Sequence, residues 1–130
     1  MKRLVLTLCL AVALVSCKKE TSTEIEVVTP EEMKELAEME DVQLVDVRTP
    51  EEYGEGFIDG FQNIDFRSDT FQEDIQKLDK TKPVIVYCKS GGRSASCAQE
   101  MKENGFVKIY DLEGGITKWK YKGYEVKTNP

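Results

Sequence analysis

The residues with the clearest chemistry form one short run, Tyr87-Cys88-Lys89-Ser90-Gly91-Gly92-Arg93-Ser94. A cysteine comes directly after an apolar stretch, Val84 to Tyr87, and is followed by a glycine pair and then by helix-forming sequence. Two adjacent glycines let the backbone turn tightly and aim successive N–H groups at one point. A helix beginning near Arg93 adds the positive end of its dipole, and Lys89 and Arg93 add formal charge. Each of these favours a thiolate over a thiol, so Cys88 is expected to ionise below the ordinary cysteine range and act as a nucleophile. The same cradle suits an oxyanion. The chain contains no histidine, which excludes nucleophiles activated by an imidazole base. It also leaves only scattered cysteines for a zinc site, so no metal and no cofactor are expected.

The elements that hold this run alternate in type. Ile25 to Val28 is β-branched and predicts a strand, and Thr29-Pro30-Glu31-Glu32 is a capping box with a proline start. Met33, Leu36, Ala37 and Met39 form the apolar face of the helix that follows, with Glu31, Glu32, Glu35 and Glu38 solvated. Gln43 to Val47 predicts a strand, and Thr49-Pro50-Glu51-Glu52 repeats the capping signal for a short helix ending near Gly54 or Gly56. A turn is expected at Asp59-Gly60, a brief extended piece before Ile64, and a helix over Ser68 to Leu78. Val84 to Cys88 is the most apolar strand and belongs at the centre of a parallel sheet. Ser94 to Glu103 predicts a helix with Cys97, Ala98 and Met101 on one face. Val107 to Tyr110 predicts a strand, and Gly114-Gly115 opens a last helix through Trp119. Strands alternating with helices predict an α/β domain with a mostly parallel central sheet flanked by helices. A cysteine at the carboxyl end of the central strand then sits where ligands bind in such sheets.

Three stretches, in this order, resemble the rhodanese family of thiosulfate sulfurtransferases. Leu44 to Ile64 (LVDVRTPEEYGEGFIDGFQNI) is similar to the family's first signature, Cys88 to Ser94 to its active loop, and Leu112 to Trp119 (LEGGITKW) to its closing segment. The resemblance covers roughly residues 24 to 126 and implies a three-layer rhodanese-like domain over residues 24–127. It implies that Cys88 attacks the outer sulfur of thiosulfate or a similar small anion, carries that sulfur as a persulfide, and passes it to a thiol or to cyanide. Carried over by position, Arg93 and the loop of Lys89, Ser90, Gly91, Gly92 and Ser94 hold the anionic group. Arg48 either pairs with Asp46 or reaches the substrate rim. Four residues separate Cys88 from Arg93, where related phosphatases place five, and this shorter loop suits sulfur substrates. Gly56-Phe57-Ile58-Asp59-Gly60-Phe61 departs from the family's Gly-His-Ile-Pro-Gly-Ala, a change expected to alter packing more than chemistry.

Two other functions remain open from the residues: a rhodanese-like module that binds an anion or partner without turnover, and a thiol redox protein using Cys88 with Cys97. Cys97 reads as core packing or as a resolving thiol, and Trp119 as core or as a lid over the sheet edge.

The N-terminus carries a separate message. Lys2 and Arg3 precede an apolar run from Leu4 to Val15, which has the charge and length of a signal-peptide core and is too short for a comfortable membrane span. Leu14-Val15-Ser16-Cys17 resembles the lipobox of bacterial lipoproteins. That resemblance implies cleavage after residue 16, lipid on Cys17, a polar tether over residues 17–23, and export to the periplasmic side or cell surface of a bacterial membrane. The 24 acidic residues outnumber the 18 basic ones, which argues against nucleic-acid binding, since that needs a basic footprint. A monomer is expected.

Overall fold

Val84 to Tyr87 contains no charged residue, and none of its four side chains is accessible to solvent. In the computed structural model, which describes residues 23–128, this segment is the middle strand of a five-stranded sheet. Ten elements alternate along the chain: β1 (Glu24–Val28), α1 (Pro30–Leu36), β2 (Gln43–Asp46), α2 (Pro50–Glu55), β3 (Gln62–Asn63), α3 (Phe71–Ile75), β4 (Val84–Tyr87), α4 (Gly92–Glu103), β5 (Lys108–Leu112) and α5 (Gly115–Tyr121). The strands lie in the order β1-β5-β4-β2-β3, and every neighbouring pair is parallel.

Successive strand residues point to opposite faces, and the core divides accordingly. Val84, Val86 and Cys88 pack with Phe71 and Ile75 of α3 and with Cys97, Ala98 and Met101 of α4. Ile85 and Tyr87 pack on the other side with Met33 of α1 and with Ile116 and Trp119 of α5. The result is the expected three-layer α/β architecture. The chain leaves β4 toward β5 and leaves β2 toward β3, so the strand order diverges between β2 and β4. Their carboxyl ends frame the crevice at which such sheets bind ligands.

Local chemistry explains where elements start and stop. Thr49 and Glu52 form a reciprocal capping box at α2, whereas at α1 only the Thr29 hydroxyl accepts, from the Glu32 amide at 3.2 Å. The helix expected over Ser68 to Leu78 is confined to Phe71–Ile75. Before it, the Asp65 carboxylate accepts the Arg67 amide and the Ser68 hydroxyl accepts the Thr70 amide; such turns compete with helix. After it, the amides of Gln76, Lys77 and Leu78 bond three residues back instead of four, the tighter winding that ends many helices. Trp119 is core: it is buried and donates to the Glu125 carbonyl at 2.9 Å. No helix among the described residues is long and apolar enough to cross a membrane. The signal segment, Cys17 and nearly all of the tether lie outside the described residues.

Candidate active site

Cys88 is the first residue past the carboxyl end of β4, and its side chain is 1% exposed. The loop then doubles back. Gly91 adopts φ +117°, where a side chain would be strained, and caps the twelve-residue helix α4. This turn brings the Gly91 amide to 3.1 Å from the Cys88 sulfur. The Ser94 hydroxyl, buried in the first turn of α4, lies 3.5 Å from the same atom and 3.2 Å from the Gly91 carbonyl. Burial opposes ionisation of the thiol, yet the Ser94 hydroxyl and the amides of Ser94, Gly91 and Ser90 outweigh it and hold the Cys88 thiol below the ordinary range. The lowered thiol expected from the sequence is present, and hydrogen bonds lead the causes that lower it.

The loop is also gripped from behind. Ile116 and Thr117, at the start of α5, donate their amides to the Cys88 and Lys89 carbonyls, each at 3.0 Å. Gly115 sits at φ +58°, and a Cβ there would collide with both carbonyls. The Gly114-Gly115 pair therefore lets α5 press its N-terminus onto the reactive loop.

In front of the sulfur lies an open cavity of about 510 Å³, bounded by Phe66 and Arg67 on one side and by Lys89, Ser90, Gly92 and Arg93 on the other. A second concavity, about 350 Å³, lies between α1 and α5 on the opposite face of the sheet and has no cysteine in its wall. The residues expected at the site divide into three groups. Cys88, Lys89, Ser90, Gly92 and Arg93 line the cavity, while Gly91 and Ser94 contact the sulfur from beneath. Arg93 is not free to close over an anion, because it makes two hydrogen bonds to the Glu52 carboxylate, at 2.7 and 2.9 Å. That contact holds Glu52 down to about 2.

Of the two readings of Arg48, the structure shows the pair with Asp46. Arg48 does not line the cavity; its guanidinium folds back onto Asp46 and donates at 2.7 Å to the carboxylate and at 2.6 Å to the Gly56 carbonyl. Tyr87 donates its hydroxyl to the same carboxylate and accepts the Ile58 amide. A buried arginine persists only with partners of this kind; here its donors join β2 to the turn after α2, and Tyr87 ties β4 to the same carboxylate. Asp46 is the hub of that network.

Arg67, Phe66 and Glu52 were not anticipated. Arg67 carries an exposed cation at the rim, and no ion pair is formed by it among the described residues. Cys97 is fully buried beside Ala98 and Met101, as core packing predicts. Burial pushes its thiol well above the ordinary range, and both Cys88 and Cys97 are free. No cluster of metal-ligating side chains occurs among the described residues.

Residues 29–122 match the family model described as Rhodanese-like domain. Over 86 residues the chain is 40% identical to a protein of Coxiella burnetii named thiosulfate sulfurtransferase GlpE, covering 66% of this chain and 78% of that one. It is 32% identical over 91 residues to a sulfurtransferase of Allochromatium vinosum, covering 70% and 83%. Among solved structures, a rhodanese-related protein of Thermoplasma volcanium superposes with a TM-score of 0.70 at 29% identity, covering 80% of this chain and 99% of that one. The polysulfide-sulfur transferase homodimer of Wolinella succinogenes superposes at 0.67 with 30% identity, covering 84% and 82%.

Proposed function

The chain belongs to the rhodanese-like domain family, and on that premise we propose that it moves a sulfane sulfur from thiosulfate or a similar small anion to a thiol acceptor through a persulfide on Cys88. The observation that carries this reading is the Gly91 amide 3.1 Å from a buried sulfur at the head of an open cavity. Inward-facing amides stabilise negative charge on sulfur both before and after transfer.

The step balances without a cofactor. The Cys88 thiolate attacks the outer sulfur of thiosulfate, a bond forms between the two sulfurs, and the bond to the sulfonate sulfur breaks. Sulfite leaves with the electron pair. An acceptor thiolate then attacks the outer sulfur and returns Cys88 as a thiolate. Negative charge stays in the loop throughout, so no proton donor is needed for the leaving group. Lys89 and Arg67 flank the cavity and attract the anionic donor. Arg93, held by Glu52, shapes the wall and contributes its field more than a direct clasp.

Intact mass tests this reading. Protein incubated with thiosulfate and freed of excess gains one sulfur atom, cyanide discharges it, and Cys88→Ser gains nothing. Absence of the gain with thiosulfate and with a polysulfide donor would leave the anion-binding module as the better account.

The residues before the domain support a second part of the proposal, that Cys17 carries lipid after cleavage and residues 17–23 tether the domain of residues 24–127 to a membrane outside the cytoplasm. Full-length protein expressed in a bacterium then partitions with membranes, and Cys17→Ser releases it into the soluble fraction. Equal partitioning of the two forms would refute the anchor.

A further inference from the structure

The charged residues that line the Cys88 cavity are Arg67, Lys89 and Arg93, all of them cations. Among the described residues, only Arg93 of the three is held in an ion pair. Both terminal nitrogens of its guanidinium donate to the Glu52 carboxylate, at 2.7 and 2.9 Å. This is the two-pronged geometry by which arginine grips carboxylates and tetrahedral oxyanions alike. Glu52 therefore occupies the edge of Arg93 that a doubly charged oxyanion would use. The carboxylate is itself fixed, because the Thr49 hydroxyl donates to it at 3.1 Å as part of the α2 cap. The two side chains are only 15% and 27% exposed, so their charges are screened less than those of an open surface pair. Glu52 foremost, and Cys88 to a lesser degree, raise the Arg93 guanidinium above its ordinary range, so one cation answers to both.

We propose that Glu52 is a positioning residue that sets the charge preference of the site: by keeping the Arg93 fork occupied, it favours sulfane donors with one negative charge over doubly charged ones. The inference rests on the reading of the Cys88 cavity as the donor site. The nucleophile is a thiolate, so each further charge on the donor adds repulsion along the approach. A freed Arg93 would offset that repulsion by gripping the oxyanion end of the donor. It would also retain sulfate-like ions that carry no transferable sulfur. With the fork occupied, Lys89 and Arg67 attract the donor without a two-pronged clasp.

Organic thiosulfonates are donors of the singly charged class: an organic group replaces one oxygen of thiosulfate. Phe66 supplies an apolar wall for that group. The transfer balances as before. The Cys88 thiolate attacks the outer sulfur, a bond forms between the two sulfurs, and the bond to the sulfonyl sulfur breaks. A sulfinate leaves with the electron pair.

The test is protection of Cys88 from iodoacetamide by sulfate and by methanesulfonate, two inert anions that differ by one charge. It is read by peptide mass on the full chain at constant ionic strength. Protection needs no sulfur transfer, so a failure of Cys88 to load sulfur is a separate result. Glu52→Gln isolates the charge, because glutamine also serves in a capping box. In wild-type protein the two half-protecting concentrations are expected to agree within about threefold. In Glu52→Gln, sulfate is expected to protect at an about tenfold lower concentration and methanesulfonate at an about threefold lower one, since a lost charge acts twice as strongly on a dianion. In an Arg93→Gln background the same change is expected to help sulfate by no more than about threefold, because the gain comes through the freed guanidinium. Equal shifts for the two anions, no protection or no shift in Glu52→Gln, or a sulfate gain undiminished without Arg93 would overturn the proposal. So would wild-type protein that sulfate protects about tenfold better than methanesulfonate, a result that depends on no variant folding.

Discussion

Arg93 and Glu52 are 41 residues apart in sequence, yet their side chains meet through two hydrogen bonds, at 2.7 and 2.9 Å, beside the candidate site. The pair fastens α2 to the first turn of α4. Glu52 titrates near 2, against an ordinary 4.5, chiefly because Arg93 bonds its carboxylate. A lowered carboxyl contributes stability that is fully present above about 4.5 and is lost as pH falls toward about 2. Glu52→Gln is therefore expected to lower stability at pH 7 by roughly 1–2 kcal/mol, since the pair is partly open to solvent. It should also flatten the acid side of the stability profile. Urea midpoints at pH 6 and pH 3 check this, and parallel profiles for the two proteins would show that the pair contributes nothing.

The contact between α5 and the reactive loop predicts a different outcome. A methyl group at position 115 would collide with the Cys88 and Lys89 carbonyls. Gly115→Ala must therefore displace either the loop or α5. A shift of about 1 Å in a reacting group costs on the order of a hundredfold in rate, so sulfur loading is expected to collapse by at least tenfold. Circular dichroism should still report an α/β fold. Wild-type loading rates in this variant would show that the loop does not depend on α5.

Much of this was readable in the residues, and the parts that were not share a cause. The sheet, its central strand and the position of Cys88 follow from local patterns: Val84 to Tyr87 is continuously apolar, and Gly91-Gly92 can serve only a tight turn. Thr49 and Glu52 signalled a capping box, and it formed. That Glu52 would also reach Arg93 was not visible, because one carboxylate here serves a local cap and a partner on another helix. Arg67 comes to the cavity from the connection after β3, a placement set by tertiary packing. The helix after Ser68 is shorter than its apolar spacing predicts because the turns at Asp65 and Ser68 compete with it.

Arg48 belongs to the fold, and its removal should register there. Its guanidinium neutralises Asp46, which is fully buried. Arg48→Met leaves that charge without its counter-ion and is expected to cost about 3–5 kcal/mol. Denaturant unfolding measures the loss. A variant of ordinary stability with impaired thiosulfate use would instead return Arg48 to the substrate rim.

Arg67 should behave in the opposite way. It is exposed, and no salt bridge is formed by it among the described residues, so Arg67→Ala is expected to change stability by no more than about 0.5 kcal/mol. Its effect should fall on capture of the anionic donor, with KM for thiosulfate raised several-fold and kcat little altered. Because the cation acts through an exposed field, the difference between variant and wild type should shrink at high salt. A salt-independent defect would place the role of Arg67 elsewhere.

The position of the thiol has one more consequence. Cys88 is continuous with β4, which is bonded on both sides, to β2 and to β5, and has no exposed residue. Strands of this kind open only when the whole molecule opens, and their amides are the last to exchange with solvent. The strand that carries the thiol is therefore expected to have no private melting transition. Heat inactivation and global unfolding follow a single rate, and the working life of the sulfur site equals the lifetime of the fold.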